Sequence, residues 1–193
     1  MCLKLKIAKN FINPIVPKNL MFVRIKKRGA SGNYGYLVEN YWINGSSRQK
    51  IKTYLGKVHG LQAVHDVPID VELSKEYSDV ILALVKMELV RHGFQEKDGV
   101  YFLDKLFVNL NMKSMHDSHG RKVVLKLNDG FLCDHHLNEL LNCTIDSEEQ
   151  VKGMKLANLL VSSGLKVKPE MFVELYKKLQ EANPSSSYGE LGE

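Results

Sequence analysis

The chain has 193 residues, 44% of them hydrophobic and 25% charged, the composition of an ordinary globular protein with room for one or two small domains. Cys2, Cys133 and Cys143 are too few for a disulfide framework, and no apolar run reaches the length of a membrane-spanning helix. A reducing, cytoplasmic setting is therefore expected. The net charge of +5 is unevenly spread: residues 1–60 hold twelve Lys or Arg and one acid, Glu39, whereas the rest of the chain holds 15 bases and 21 acids. A segment at +11 attached to an acidic body points to a polyanionic partner and to no membrane role.

Residues 1–20 are basic, and Pro14 and Pro17 oppose a helix through their second half. They lack the apolar core and small-residue cleavage site of a signal peptide. They read as a basic arm or an upstream extension, with Met21 as an alternative start to Met1. Alternating residues then predict strands at 21–28, 34–43 and 48–55. Gly29, Ser31, Gly32 and Asn33 loosen the first connection, and Asn44-Gly45 begins the second with a hairpin turn. Gly56 and Gly60 are expected to close this three-stranded antiparallel β-meander, and 61–73, with Pro68, to be a linker.

A helix is predicted over 74–92, with Ser74 as its N-cap and Gly93 just past its end. Its middle, 80–85, is apolar on nearly all sides, which places it centrally. Short strands are predicted at 100–103, 106–110 and 121–127, with a turn at Asn128-Asp129-Gly130. The last third reads as helical. Asp134 is expected to cap a helix to 141, and Asp146 or Ser147 one ending near 162 before Gly164. Pro169 suits the start of a last helix, which carries Met171, Phe172, Leu175 and Leu179 on one face and stops at Pro184. The expected class is α+β: the meander at 21–60, a mixed α/β body at 70–183 with a helical C-terminal third, and a disordered tail at 184–193.

Strand alternation divides the meander into two faces. One collects Met21, Val23, Ile25, Leu37, Ile43, Ile51 and Leu55, together with Glu39, and should pack on the body. The other collects Phe22, Arg24, Lys26 and Arg28, then Tyr36, Asn40 and Trp42, then Arg48, Lys50, Lys52 and Tyr54. Six cations interleaved with aromatics and free of carboxylates suit a phosphate backbone. Arg48, just past the turn, is the expected base reader, and Lys27 and Lys57 are expected to lie off this face. The alternative is a solvated face whose lysines guard the strands against aggregation.

The stretch MFVRIKKRGASGNYGYLVENYWINGSSRQKIKTYLGKV also resembles the N-terminal segment of insertion-sequence transposases of the DDE class, and similar segments of small archaeal and bacterial proteins. The matching residues are Tyr36, Leu37, Val38, Glu39, Tyr41, Gly45, Arg48, Gln49, Tyr54, Leu55 and Gly56. The resemblance implies a DNA-contacting segment over 21–60 and nothing about 70–193. Catalysis in that class needs three spaced carboxylates holding two metal ions, and 70–193 offers no convincing triad. The expectation is a non-enzymatic nucleic-acid-binding protein, for DNA more than RNA, that needs no cofactor.

Two alternatives compete with it. In one, the body binds a protein partner and the chain is an adaptor. In the other, His116, Asp117, His119, Asp134, His135 and His136 serve a metal-dependent nuclease, although 116–120 reads more simply as a polar turn. Cys133, His135, His136 and Cys143 are weak zinc candidates, because their spacing matches no common finger and the cysteines suit a core.

Overall fold

The computed structural model describes residues 20–43, 46–68, 76–143 and 149–182. Strands β1 (Leu20–Lys27), β2 (Asn33–Ile43) and β3 (Ser46–Gly60) lead into helix α1 (Tyr77–Arg91). Four short strands follow, β4 (Gln95–Lys97), β5 (Val100–Leu103), β6 (Leu106–Asn109) and β7 (Ser114–Asp117). Then come β8 (Val123–Leu127), β9 (Gly130–Leu132), and helices α2 (Asp134–Leu141), α3 (Glu149–Ser162) and α4 (Pro169–Ala182). The class is α+β. The described strands form two sheets, one in the order β1-β2-β3-β8-β9 and one in the order β4-β5-β6-β7.

The first three strands are consecutive and antiparallel, but they are not a closed unit. β3 does not stop at Leu55. It runs on through Gly56 to Gly60 and pairs in parallel with β8, from Lys57 opposite Val123 to Gly60 opposite Lys126. Gly56 makes this possible. Its φ is +138°, and a Cβ there would lie 2.4 Å from the Lys122 carbonyl oxygen. A glycine that reads as a strand end in the sequence marks a close backbone approach in the fold. The sheet thus crosses the expected boundary at residue 60. β8 buries Val123, Val124, Leu125 and Leu127, as a strand covered on both faces does.

The second sheet is a meander of tight hairpins. Asp98 and Gly99 both take positive φ between β4 and β5, the turn whose twist matches antiparallel strands. Tyr101, Val108 and Met115 are register neighbours across β5, β6 and β7. All three are buried in one cluster with Val80, Ile81, Leu84, Val85 and Leu89 of α1, which is central as expected. Burial of one such leucine contributes about 1.5–3 kcal/mol. Leu156, Leu160, Leu175 and Leu179 carry the same cluster into α3 and α4.

Gly93 ends α1 as its position implies, with φ +89°. Its N–H donates to Val90 O at 2.9 Å, and the N–H of buried Phe94 donates to Leu89 O at 3.0 Å. Gly164 and buried Leu165 end α3 by the same pair of bonds, to Val161 O and Leu160 O. That end seats against the β8–β9 turn, where a Cβ on Gly130 would meet Gly164 N at 2.1 Å.

Asp134 does not cap α2. It is the first helical residue, and its Oδ1 accepts the Met115 N–H at 2.7 Å, tying α2 to β7. His116 and Asp117, expected in a turn, belong to β7. The expected caps Ser74, Asp146 and Ser147, the turn residues Asn44 and Gly45, Pro184, the arm at 1–19 and the tail at 184–193 lie outside the described residues. Among the described residues no helix is long and apolar enough to cross a membrane.

Candidate nucleic-acid interface

Residues directly opposite on neighbouring strands share a face. In the β1–β2 pair these include Phe22 and Val38, Arg24 and Tyr36, and Lys26 and Tyr34. In the β2–β3 pair they include Tyr34 and Lys57, Tyr36 and Tyr54, Val38 and Ile51, Asn40 and Gln49, and Trp42 and Ser47. The result is a tyrosine cluster ringed by cations. The Tyr54 ring lies 5.5 Å from that of Tyr36 and 6.3 Å from that of Tyr34. Lys26 Nζ sits 5.3 Å from the Tyr36 ring centre, and the Arg28 guanidinium 5.6 Å from that of Tyr34. Arg28 also donates to the Tyr36 hydroxyl at 2.9 Å, and Arg24 to the Gln49 side chain. Burial and the neighbouring Tyr34 and Tyr36 raise the Tyr54 hydroxyl above its usual value.

This face differs from strict alternation because β3 is irregular at two places, between the partners of Leu37 and Val38 and between those of Gly35 and Tyr36. Lys52 and Leu55 are the extra residues. Each bulge shifts the inward–outward phase by one residue. Arg48 and Lys50 therefore lie opposite Tyr41 and Glu39, on the other side from Tyr36 and Trp42. Lys52 goes with them and pairs with Glu39 at 2.8 Å. Ile51 moves the opposite way, onto the tyrosine face. Lys57, expected off the face, stands opposite Tyr34 on it. Phe22, Arg24, Lys26, Tyr36, Asn40, Trp42 and Tyr54 lie together as expected. Arg28 joins them from just past the end of β1. Of the expected apolar face, Val23, Leu37 and Leu55 pack with Val124 and Cys133, whereas Met21, Ile43 and Ile51 are exposed.

The structure adds residues that sequence spacing did not join to the face. Arg121 follows the turn after β7 and grips Asp117, with Nε and a terminal nitrogen each 2.7 Å from Oδ2. Asp117 Oδ1 also accepts the N–H groups of His119 at 2.9 Å and Arg121 at 3.0 Å. Led by the Arg121 guanidinium, these bonds hold the Asp117 carboxyl well below the usual carboxylate range. The largely exposed Arg121 guanidinium lies near the Tyr34 and Tyr54 hydroxyls. His59 shares the strand side of Lys57, and burial, then Lys57, lowers its pKa. No local pattern links Arg121 to Tyr34; the parallel pairing of β3 with β8 does.

No known family, curated protein or solved structure matches this chain.

The weaker candidates are dispersed. Cys133 is buried in the small cluster under the sheet, where burial pushes its thiol up to about 11. Cys143 belongs to the main core, and burial raises its thiol too. His136 is buried, and its Nδ1–H donates to the Phe131 carbonyl. The His135 ring lies 5.7 Å from it. His116 stacks on Phe107 at 5.6 Å. Among the described residues no three His, Cys, Asp or Glu side chains gather as a metal site requires.

Proposed function

We propose that the chain binds duplex DNA, without cutting it, through the tyrosine and cation face of β1–β3. The observation that carries this is the convergence of Arg24, Lys26, Arg28, Lys57 and Arg121 around Tyr34, Tyr36 and Tyr54. In this arrangement the cations neutralise phosphates and release counterions, the tyrosine rings pack on sugars, and Asn40 and Gln49 supply polar contacts. Arg48, Lys50 and Lys52, on the opposite side of the same strands, extend the charge around the ribbon. The resemblance of 21–60 to the DNA-contacting segment of transposases favours the same reading, and the acidic body limits non-specific adhesion elsewhere.

The test is a titration of a fluorescein-labelled duplex followed by anisotropy across a salt series. Between five and eight phosphate contacts give a log–log slope of roughly −4 to −7. Absence of binding at low salt, or a slope near zero, overturns the proposal. The duplex is expected to survive incubation with magnesium or manganese.

A further inference from the structure

Among the described residues β1 pairs with β2 as far as Asn40, which it meets at Leu20. Beyond that point Tyr41, Trp42 and Ile43 pair, among the described residues, with Arg48, Ser47 and Ser46 of β3 alone. Among the described residues this part of β2 and β3 is a two-stranded ribbon, and β3 is exposed at every described residue from Ser46 to Tyr54. Trp42, the chain's single tryptophan, lies on this ribbon at 63% exposure. It stands on the same side as Tyr36 and Tyr54, six residues along β2 from Tyr36. At about 3.3 Å per residue that separation is roughly 20 Å, about the rise of six base pairs.

Most of the Trp42 side chain is left in water. On its own face stands Arg24, bonded to Gln49, while Arg48 and Lys50 line the opposite side of the ribbon, and the one described carboxylate of the ribbon region, Glu39, is taken up by Lys52. The charge fits a polyanion on both sides of the ribbon, and a two-stranded ribbon fits a DNA groove. We infer that the ribbon inserts the Trp42 indole between base pairs of the bound duplex and bends it. This rests on the DNA-binding reading above and names what the far end of that face does. Arg24, Lys26, Lys57 and Arg121 hold the backbone, while the indole unstacks one base step some six base pairs away. Apolar or aromatic wedges with flanking cations act in this way on duplexes.

Because Trp42 is the only tryptophan, its emission reports on this position in the unaltered chain. The experiment titrates the full chain with an unlabelled duplex while reading indole emission, and in parallel follows the anisotropy of a labelled duplex. A duplex with a donor and an acceptor at its two ends reports bending. Emission is expected to be quenched at saturation and the duplex ends to approach. Trp42→Ala is expected to weaken binding roughly tenfold or more and to abolish the approach. Trp42→Phe should lose less. Met112→Ala, an exposed apolar change on the β6–β7 turn, should bind like the parent. The inference is overturned if anisotropy reports binding while emission is unchanged and Trp42→Ala binds within twofold of the parent. It is also overturned if quenching occurs with single-stranded DNA alone. A flat anisotropy trace with every duplex removes the DNA-binding reading itself, and the inference with it.

Discussion

Glu88 is fully buried in α1 and sits where three segments meet. Its Oε1 accepts the Lys166 N–H at 3.2 Å and lies 3.4 Å from Arg91, and its Oε2 accepts from the Asn128 side chain at 3.3 Å. His92 Nδ1 is 3.5 Å away. The carboxylate thus joins α1 to the β8–β9 turn and to the chain entering α4. Nothing in the sequence separates Glu88 from an exposed helical glutamate, because its partners lie about 40 and 80 residues downstream. Glu88→Ala strands these donors and should destabilise the protein by about 2–4 kcal/mol in chemical denaturation. Removing the surface partner in Lys177→Ala, which breaks a 2.7 Å pair with Glu174, should cost less than about 0.5 kcal/mol. His136 makes a pH prediction. Burial lowers its pKa in the folded state, so protonation favours the unfolded chain. Stability should be level above about pH 6.5 and fall as the pH drops below it. Melting curves from pH 7.5 to 5 should show a smaller fall in His136→Asn than in the parent.

At the scale of elements, helices and hydrophobic strands were legible because each repeats a period over many residues. The end of α1 at Gly93, the span of α2 and the start of α4 at Pro169 follow from that reading. β4 and β9 have three residues each, too short for any period, and the sequence of β7, Ser-Met-His-Asp, looks like a turn. The two faces of β3 were partly misassigned for a different reason. A bulge changes the phase of alternation without changing composition, so counting by twos carries Arg48 and Lys50 across to the wrong side. The corrected face predicts that Lys57→Ala and Arg121→Ala each lower DNA affinity by roughly three- to tenfold at low salt, with the salt slope reduced by about one. Lys27→Ala, opposite Asn33 and off the tyrosine face, should change affinity less than twofold. If all three behave alike in salt-matched titrations, the surface acts as diffuse charge. Gly56→Ala tests the junction instead. It adds a Cβ against the Lys122 carbonyl at positive φ and should cost about 2–4 kcal/mol, read from a denaturant midpoint.

The whole molecule couples a cationic sheet to an acidic body, and the coupling is covalent in sequence but also structural through β3 and β8. The charge division was visible in composition. The pairing was not, because a parallel partner 66 residues away, as Val123 is from Lys57, leaves no local mark. A fragment ending at residue 60 should accordingly fail to give a stable monomer, and sedimentation or circular dichroism of that fragment would show association or loss of sheet. The order of synthesis gives the same pairing another meaning. β3 leaves the ribosome well before β8 exists, and at typical rates of 5–20 residues per second the wait is on the order of several seconds. Throughout that interval the β3 edge that β8 will cover has open backbone donors and acceptors. Lys57 begins the stretch that β8 will cover, and Arg48, Lys50 and Lys52 lie earlier on the same strand, outside its pairing with β8. Charged side chains along an open edge discourage pairing with another nascent chain. The residues proposed to hold DNA in the finished protein would then first serve to keep its unfinished sheet solitary.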